Sequence, residues 1–285
     1  MITIAVLMTS HNRKDVTLAS VRALRSASAA GVRIVVYLVD DASTDGTAQE
    51  ARTLGGIEIH VVDGSGDLYW NSAMRIGWDL AVKDNPDFYL WLNDDLVLRN
   101  GAIDNLLATY RANELQYSGN LIVVGRSHSP KTGEVSYGGY RRAPGFSRIS
   151  WRRLEHNERT CDTMNGNCVL LPARAYNDIG NLSAKYRHSF GDIDYGLRAR
   201  RSGYAIIESR ESVGYQQNNF QIYSGARLPL TKENLRFVFF HPKGVPLNEW
   251  WYFCRTHAGW LWPINFILRY VKMFVGHQKR AIRSA

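Results

Sequence analysis

A chain of 285 residues, 45% of them hydrophobic, is long enough to bury one large core with an appendage, and its composition excludes a disordered or fibrous protein. The formal charge of +9 points to an anionic partner, whether nucleic acid, a membrane surface or a phosphorylated substrate, without choosing among them. Three cysteines, Cys161, Cys168 and Cys254, form no C-x-x-C pair, which argues against a disulfide framework or a structural zinc site and fits a reducing cytoplasm.

The run Ile2 to Met8 has no basic leader and ends at Thr9-Ser-His-Asn-Arg13, so a buried first strand is expected rather than a signal peptide or an anchor. Val16, Ala19, Ala23 and Ala27 then recur at helical spacing. A second apolar run, Val32 to Val39, precedes a turn with a helix opening near Asp45-Gly46-Thr47. A strand from Ile57 to Val62, a helix from about Ser72 to Val82 and a strand from Phe88 to Leu92 follow. This alternation predicts a parallel sheet with helices on both faces, and ligands bind beyond the carboxyl ends of such strands. Those ends lie just after Met8, Val39, Val62 and Leu92, where the polar motifs are. From Gly133 to Asn157 the pattern breaks into Gly-Gly, Ala-Pro-Gly and an Arg-rich stretch, which suggests a long loop or hairpin able to act as a lid over the site. Order returns with a strand at Cys168 to Leu171, helices over about Arg174 to Ile179 and through Asp194 to Ser202, and a strand at Tyr204 to Ile207.

Three constellations carry chemistry. Tyr37-Leu-Val-Asp-Asp-Ala-Ser-Thr-Asp-Gly-Thr47 sets Asp40 and Asp41 at the end of a buried strand, where carboxylates can accept hydrogen bonds from a base or ribose. Ser43 and Asp45 are equally suited to capping the next helix. In Tyr89-Leu-Trp-Leu-Asn-Asp-Asp-Leu-Val-Leu98, Asn93, Asp94 and Asp95 interrupt an apolar run. Consecutive carboxylates repel one another, and a divalent cation or ligand donors relieve that cost; a tight polar turn is the plainer alternative. In Arg187-His-Ser-Phe-Gly-Asp-Ile-Asp-Tyr-Gly-Leu-Arg198, Asp192 and Asp194 open a helix whose dipole favours acids, and Asp192 is also placed to take a proton from an acceptor hydroxyl.

In order, these segments resemble the family 2 glycosyltransferases. The matching motifs are Thr9-Ser-His-Asn-Arg13, Val39-Asp-Asp-Ala-Ser-Thr-Asp-Gly-Thr47, Trp91-Leu-Asn-Asp-Asp95, Asn165-Gly-Asn-Cys-Val-Leu-Leu-Pro172 and Phe190-Gly-Asp-Ile-Asp-Tyr-Gly-Leu-Arg198. The resemblance spans roughly the first 210 residues. It implies an α/β GT-A fold with a Rossmann-like, mostly parallel sheet, and inverting transfer of a sugar from a nucleotide-diphosphate donor to a glycan or lipid-linked acceptor, with surface polysaccharide synthesis as the setting.

The resemblance also assigns roles. Asp41 would contact the donor's base, Asp94 the ribose, and Asp95 a divalent cation, Mg²⁺ or Mn²⁺, at the family's Asp-x-Asp position. Asp192 aligns with the catalytic base and Asp194 with an acceptor-side acid. Thr9, Asn12, Arg13, Asp67, Trp70, Asn71 and Asn93 fall where members approach the donor, although Trp70 is equally suited to a core. His188 is a candidate acceptor-side or metal-binding group, or a hydrogen-bonded structural histidine. The sequence departs from the family at Asn93, at Gly191, and at Val213-Gly-Tyr-Gln-Gln217, where many members carry a metal-binding His.

The domain reading places a catalytic domain at 1–227, divided into a nucleotide-sugar half at 1–110 and an acceptor half at 111–227, with a helical extension at 228–285. In that extension Asn248-Glu-Trp-Trp-Tyr-Phe-Cys-Arg-Thr-His-Ala-Gly-Trp-Leu-Trp-Pro263 leads into Ile264 to Val275 and a basic end with Lys279, Arg280 and Arg283. Its longest charge-free run is too short to span a bilayer. The aromatic and basic residues suit a helix lying on an anionic membrane at the inner face of the cytoplasmic membrane, packing on the catalytic domain, or a homo-oligomer contact. Two rivals are a sugar-1-phosphate nucleotidyltransferase, whose glycine-rich basic loop is missing after the first strand, and a non-catalytic sugar-binding protein with a degenerate site. No nucleic-acid-binding module is recognisable.

Overall fold

The computed structural model describes residues 1–27, 30–217 and 231–284, with side chains of the last helix described as far as residue 273. Strand β1 (Ile2–Ser10) pairs in parallel with β2 (Val32–Asp40) and β4 (Phe88–Leu92), and β2 pairs in parallel with β3 (Glu58–Asp63). Beyond β4 the sheet continues through β11 (Cys168–Pro172), β6 (Leu121–His128), β12 (Ala205–Tyr215) and β5 (Val97–Leu98). There β11 runs antiparallel to both neighbours, while β12 returns parallel to β6. The carboxyl ends of β1, β2 and β4 therefore open on one rim, next to the start of β11.

Alternation along β1 sends Ile4, Val6 and Met8 to one face and Ala5 and Leu7 to the other, and both faces are covered. The first face packs against helices α1 (Lys14–Ser26) and α4 (Ala102–Asn113), with α2 (Thr47–Thr53) at its edge. The second packs against α3 (Tyr69–Ala81) and α6 (Gly191–Arg201), and α5 (Arg174–Ile179) lies beside it. Each fully buried Leu, Ile or Val contributes about 1.5–3 kcal/mol to this core. The α1 face differs from the expected one: Leu18, Val21 and Leu24 are buried, whereas Val16 and Ala19 face solvent. Branched side chains remove more apolar area from water than the alanine stripe beside them, so they set the rotation of the helix.

Helices α3 and α6 begin earlier than their apolar patterns suggest. The first turn of α3 is fixed by Asp41, which accepts from Tyr69 N–H, and that of α6 by Asp192, which accepts from Ile193 N–H. Within 133–157, expected as a long loop or hairpin, β7 (Val135–Tyr137) joins β6, and β8 (Gly139–Arg142) and β9 (Trp151–Arg153) form a hairpin completed by β10 (Thr163–Met164).

Three C-terminal helices, α7 (Lys232–Phe240), α8 (Leu247–His257) and α9 (Trp262–Ser284), bring Trp250, Phe253, Cys254 and Tyr270 against Tyr186 to form a third core. The expected boundary at 227/228 lies outside the described residues. Among the described residues no helix is long and apolar enough to cross a membrane. All three cysteines are free and buried, and burial pushes every thiol up, Cys168 and Cys254 to about 12.

Candidate active site

The rim of β4 is held by a network of side chains. Arg13, just before α1, donates from its two terminal nitrogens to Asp94 at 2.8 Å and to Asp95 at 2.9 Å. Asp94 is almost enclosed, and burial pushes its carboxyl up to about 7 against the opposing pull of Arg13. Asp95 receives a second hydrogen bond from the Gln216 amide at the end of β12. The Gln216 carbonyl in turn accepts from Asn167 at 3.0 Å. Gln216 thus stands against Asp95 from the segment where many family members carry a histidine.

Asn93 is occupied differently: its side-chain oxygen accepts the indole N–H of Trp70 at 3.0 Å. The far edge of that indole lies over Gly166, where an added Cβ would come within 2.5 Å of the ring. Gly166 donates its backbone N–H to Asp192 at 2.9 Å, and Ile193 donates to the same carboxylate at 2.8 Å. Burial raises the pKa of Asp192, and these N–H groups moderate the shift. One tryptophan therefore spans from the acidic rim of β4 to the first turn of α6, packing edge-on against Trp91 on the way. It belongs to the site and to the core at once.

The β2 rim builds the loop ahead of α3. Asp41 accepts from the backbone N–H groups of Gly66, Leu68 and Tyr69 at 2.7, 2.9 and 3.1 Å. Its carboxylate is thus spent on fixing this loop and capping the helix, and it is nearly buried. Asp40 holds Ser43 through its N–H and hydroxyl, while Asp45 accepts from Lys14 N–H at 2.9 Å and from Thr47 N–H at 3.0 Å. Asp45 thus holds the first residues of α1 and α2 together, with Gly46 at the N-cap of α2. Asn12, in the left-handed region at φ 51°, accepts from Thr44 N–H at 2.7 Å and joins the β1 and β2 rims. Thr9 is partly exposed at the end of β1, on the α3 side of the sheet.

Four other expected site residues have structural surroundings. Asn71 is fully buried and donates to the carbonyls of Ser183 at 2.9 Å and Tyr186 at 2.7 Å, so it braces α3 against the 183–187 segment. Gly191 follows from this: a Cβ there would lie 1.8 Å from the Asn71 amide oxygen. Asp194, 1% exposed, accepts from Arg198 and from His257, each at 2.8 Å. Burial opposes its charge, but those two partners hold its carboxyl below the usual range. It ties α6 to α8. Asp67 is exposed and ion-paired to Arg187. His188 packs edge-on to Tyr69, and burial, with Lys243 nearby, pushes it down to about 4, so its ring is neutral. Among the described residues, its Nδ1 has no hydrogen-bond partner. Also among the described residues, no three His, Cys, Asp or Glu side chains gather as a metal site.

An acidic pair at a strand rim and a partly desolvated carboxylate, linked through one tryptophan and Gly166, are groups able to hold a polar leaving group and to accept a proton. Residues 5–166 match the family description "Glycosyl transferase family 2". The chain belongs to glycosyl transferase family 2. It is a glycosyltransferase of GT-A fold.

The solved S. aureus TarS 1–349 in complex with UDP-GlcNAc is similar in fold, with TM-score 0.57 and 13% identity over 100% of this chain and 92% of that one. The GalNAc-T7 structure with UDP, GalNAc and Mn²⁺ aligns with TM-score 0.58 and 13% identity over 73% of this chain; this chain spans 42% of that one. No functionally curated protein matches. The family match ends at Gly166, so the α6 carboxylate of this glycosyltransferase lies beyond it. Gln216, Asn167 and Gly166 are the site residues that sequence reasoning did not single out by role. The Asn165-Gly-Asn motif and the missing histidine were the signals available for them.

Proposed function

We propose that the protein is an inverting transferase that moves a sugar from a nucleotide-diphosphate donor to a hydroxyl of a glycan or lipid-linked acceptor, in the assembly of a surface polysaccharide. The observation that supports this reading is the Trp70 indole, which donates to Asn93, next to Asp94 and Asp95, and lies over Gly166, whose N–H donates to Asp192. In a single displacement Asp192 takes the acceptor's proton as the acceptor oxygen bonds to the anomeric carbon. The bond from that carbon to the diphosphate breaks on the opposite face, and the nucleoside diphosphate leaves with the electron pair. Attack and departure on opposite faces invert the configuration. Burial supports Asp192 in this role, because a carboxylate with a raised pKa is a stronger base. Thr9, Asn12, Arg13 and the loop fixed by Asp41 line the donor side.

The donor set at β4 fits a divalent cation: two adjacent carboxylates, Asp94 and Asp95, stand together at the rim and share the Arg13 guanidinium. Asp95 would hold Mg²⁺ or Mn²⁺ with Asp94 behind it, and the ion would supply charge neutralisation to the diphosphate leaving group. Gln216 places a neutral amide beside that position.

The test is a panel of nucleotide-diphosphate sugars with and without Mg²⁺ or Mn²⁺, reading thermal shift and slow donor hydrolysis together. Binding of one donor, with hydrolysis lost and binding kept in Asp192→Asn, is the expected result. No donor binding under any metal condition sinks the catalytic reading in favour of a degenerate sugar-binding site.

A further inference from the structure

Helix α9 is turned the opposite way from an ordinary surface helix. Its inward side carries Arg269, whose guanidinium lies over the rings of Trp250 at 4.6 Å and Phe190 at 5.5 Å, beside Tyr270. Its outward side carries Ile264, Ile267, Leu268 and Val271, spaced three and four residues apart and all exposed, Ile267 by 58%. A helix on a water-facing surface places its polar residues outward. This one shows water an aliphatic stripe, with Trp260 at its start, 81% exposed.

The β8–β9 hairpin adds to the same surface. Its tip carries Phe146, 93% exposed, between the exposed Arg142 and Arg148. Two contacts fix that tip against the start of α9: Ser147 donates to the Asn265 side chain at 2.6 Å, and Arg148 lies against Gly259, where an added Cβ would be 3.1 Å from its guanidinium. On α8 the exposed Trp251 packs edge-on to Trp262, with Arg255 over its ring. Charge marks the occupant. Residues 250–285 contain six Lys and Arg and no Asp or Glu, and residues 139–153 contain five Arg and no acid, Arg141 and Arg152 among them pairing with Glu158.

We propose that the tip of the β8–β9 hairpin and the outward face of α9 together form a docking surface for an anionic lipid bilayer. Exposed tryptophan and phenylalanine flanked by arginine suit the boundary between headgroups and acyl chains, and an aliphatic stripe suits shallow insertion. Docking also has a bearing on the reaction. Phe190, two residues before Asp192, packs on Trp250 and Phe253, and Arg201 of α6 donates to Thr256 and His257 of α8. The helix carrying the base is thus fixed to the elements that meet the membrane. Resting on the proposed transfer reaction, this deepens it to a lipid-linked acceptor presented at the bilayer surface.

The experiment is co-sedimentation of the full chain with vesicles of phosphatidylglycerol mixed with phosphatidylcholine, against vesicles of phosphatidylcholine alone, with no sugar present. Its outcome is therefore separable from that of the transfer reading. The expected result is binding to the anionic vesicles that weakens as salt is raised and falls about tenfold or more in Phe146→Ser with Trp260→Ser, and again in Ile267→Glu. Leu115→Ser, at an exposed leucine elsewhere on the surface, keeps full binding. All these side chains face solvent, so the thermal midpoint and donor hydrolysis report that each variant is folded. Absence of binding to anionic vesicles overturns the proposal, as does binding that survives all three changes. A dimer in sedimentation velocity that the same variants dissociate also overturns it and assigns the face to a second copy.

Discussion

At the scale of single residues, the site depends on where Asp192 sits. Its carboxyl is raised by burial and must be ionised to accept a proton, so the acid limb of the kcat/KM profile should fall above the ordinary carboxylate range, near about 3.9 for an aspartate in water. A limb at that ordinary value would mean that the base is solvated. Replacing Asp192 with Asn should remove at least about a hundredfold of the rate while the donor still binds, as titrated by thermal shift. Gly191→Ala tests the ground beneath it. The new methyl would meet Asn71, which is fully buried and already bonded to two carbonyls, so about 1–3 kcal/mol of stability should be lost and kcat reduced with it. Denaturant melts and turnover on the same preparation check both parts, and an unchanged melt would show that Asn71 can yield.

At the scale of elements, α6 is bound to the C-terminal helices by a chain of partners running from Arg201 to His257 to Asp194, with Arg198 on the other side. Removing one partner of a buried ion costs far more than an exposed pair contributes, so His257→Ala should lose on the order of 3 kcal/mol. Asp194 has a depressed folded pKa, so its stabilisation is fully present above the unfolded value of about 3.9 and is lost as pH falls through the folded value. The His257→Ala penalty should therefore be largest at neutral pH and shrink in acid, as thermal melts across that range would reveal. This contact also shows what a sequence withholds. Strands β1, β2 and β4 were legible because buried strands are uninterrupted apolar runs, and the α3 and α6 segments were found by their motifs. The direction of a polar side chain has no such signature. Asn71, Asp41 and Asp194 stood in the right motifs, yet each turns inward to brace an element, and only long-range partners such as Ser183 and His257 decide that. Helix α4 and strand β6 complete the core without a chemical motif and were not singled out at all.

At the scale of the whole molecule, two structural units meet at α6: the central sheet, and the aromatic core of the C-terminal helices. The expected salt-sensitive attachment to anionic vesicles belongs to this level, since it needs the hairpin and the last helix together. The cysteines offer a practical consequence. With Cys161, Cys168 and Cys254 enclosed and their thiols shifted well above neutral pH, maleimide and iodoacetamide have no ready target in the native fold. A single cysteine introduced at Phe146 would be the one fast-reacting thiol, with no need to strip the native three. An environment-sensitive fluorophore placed there would report by its emission colour whether the hairpin tip sits in water or in lipid.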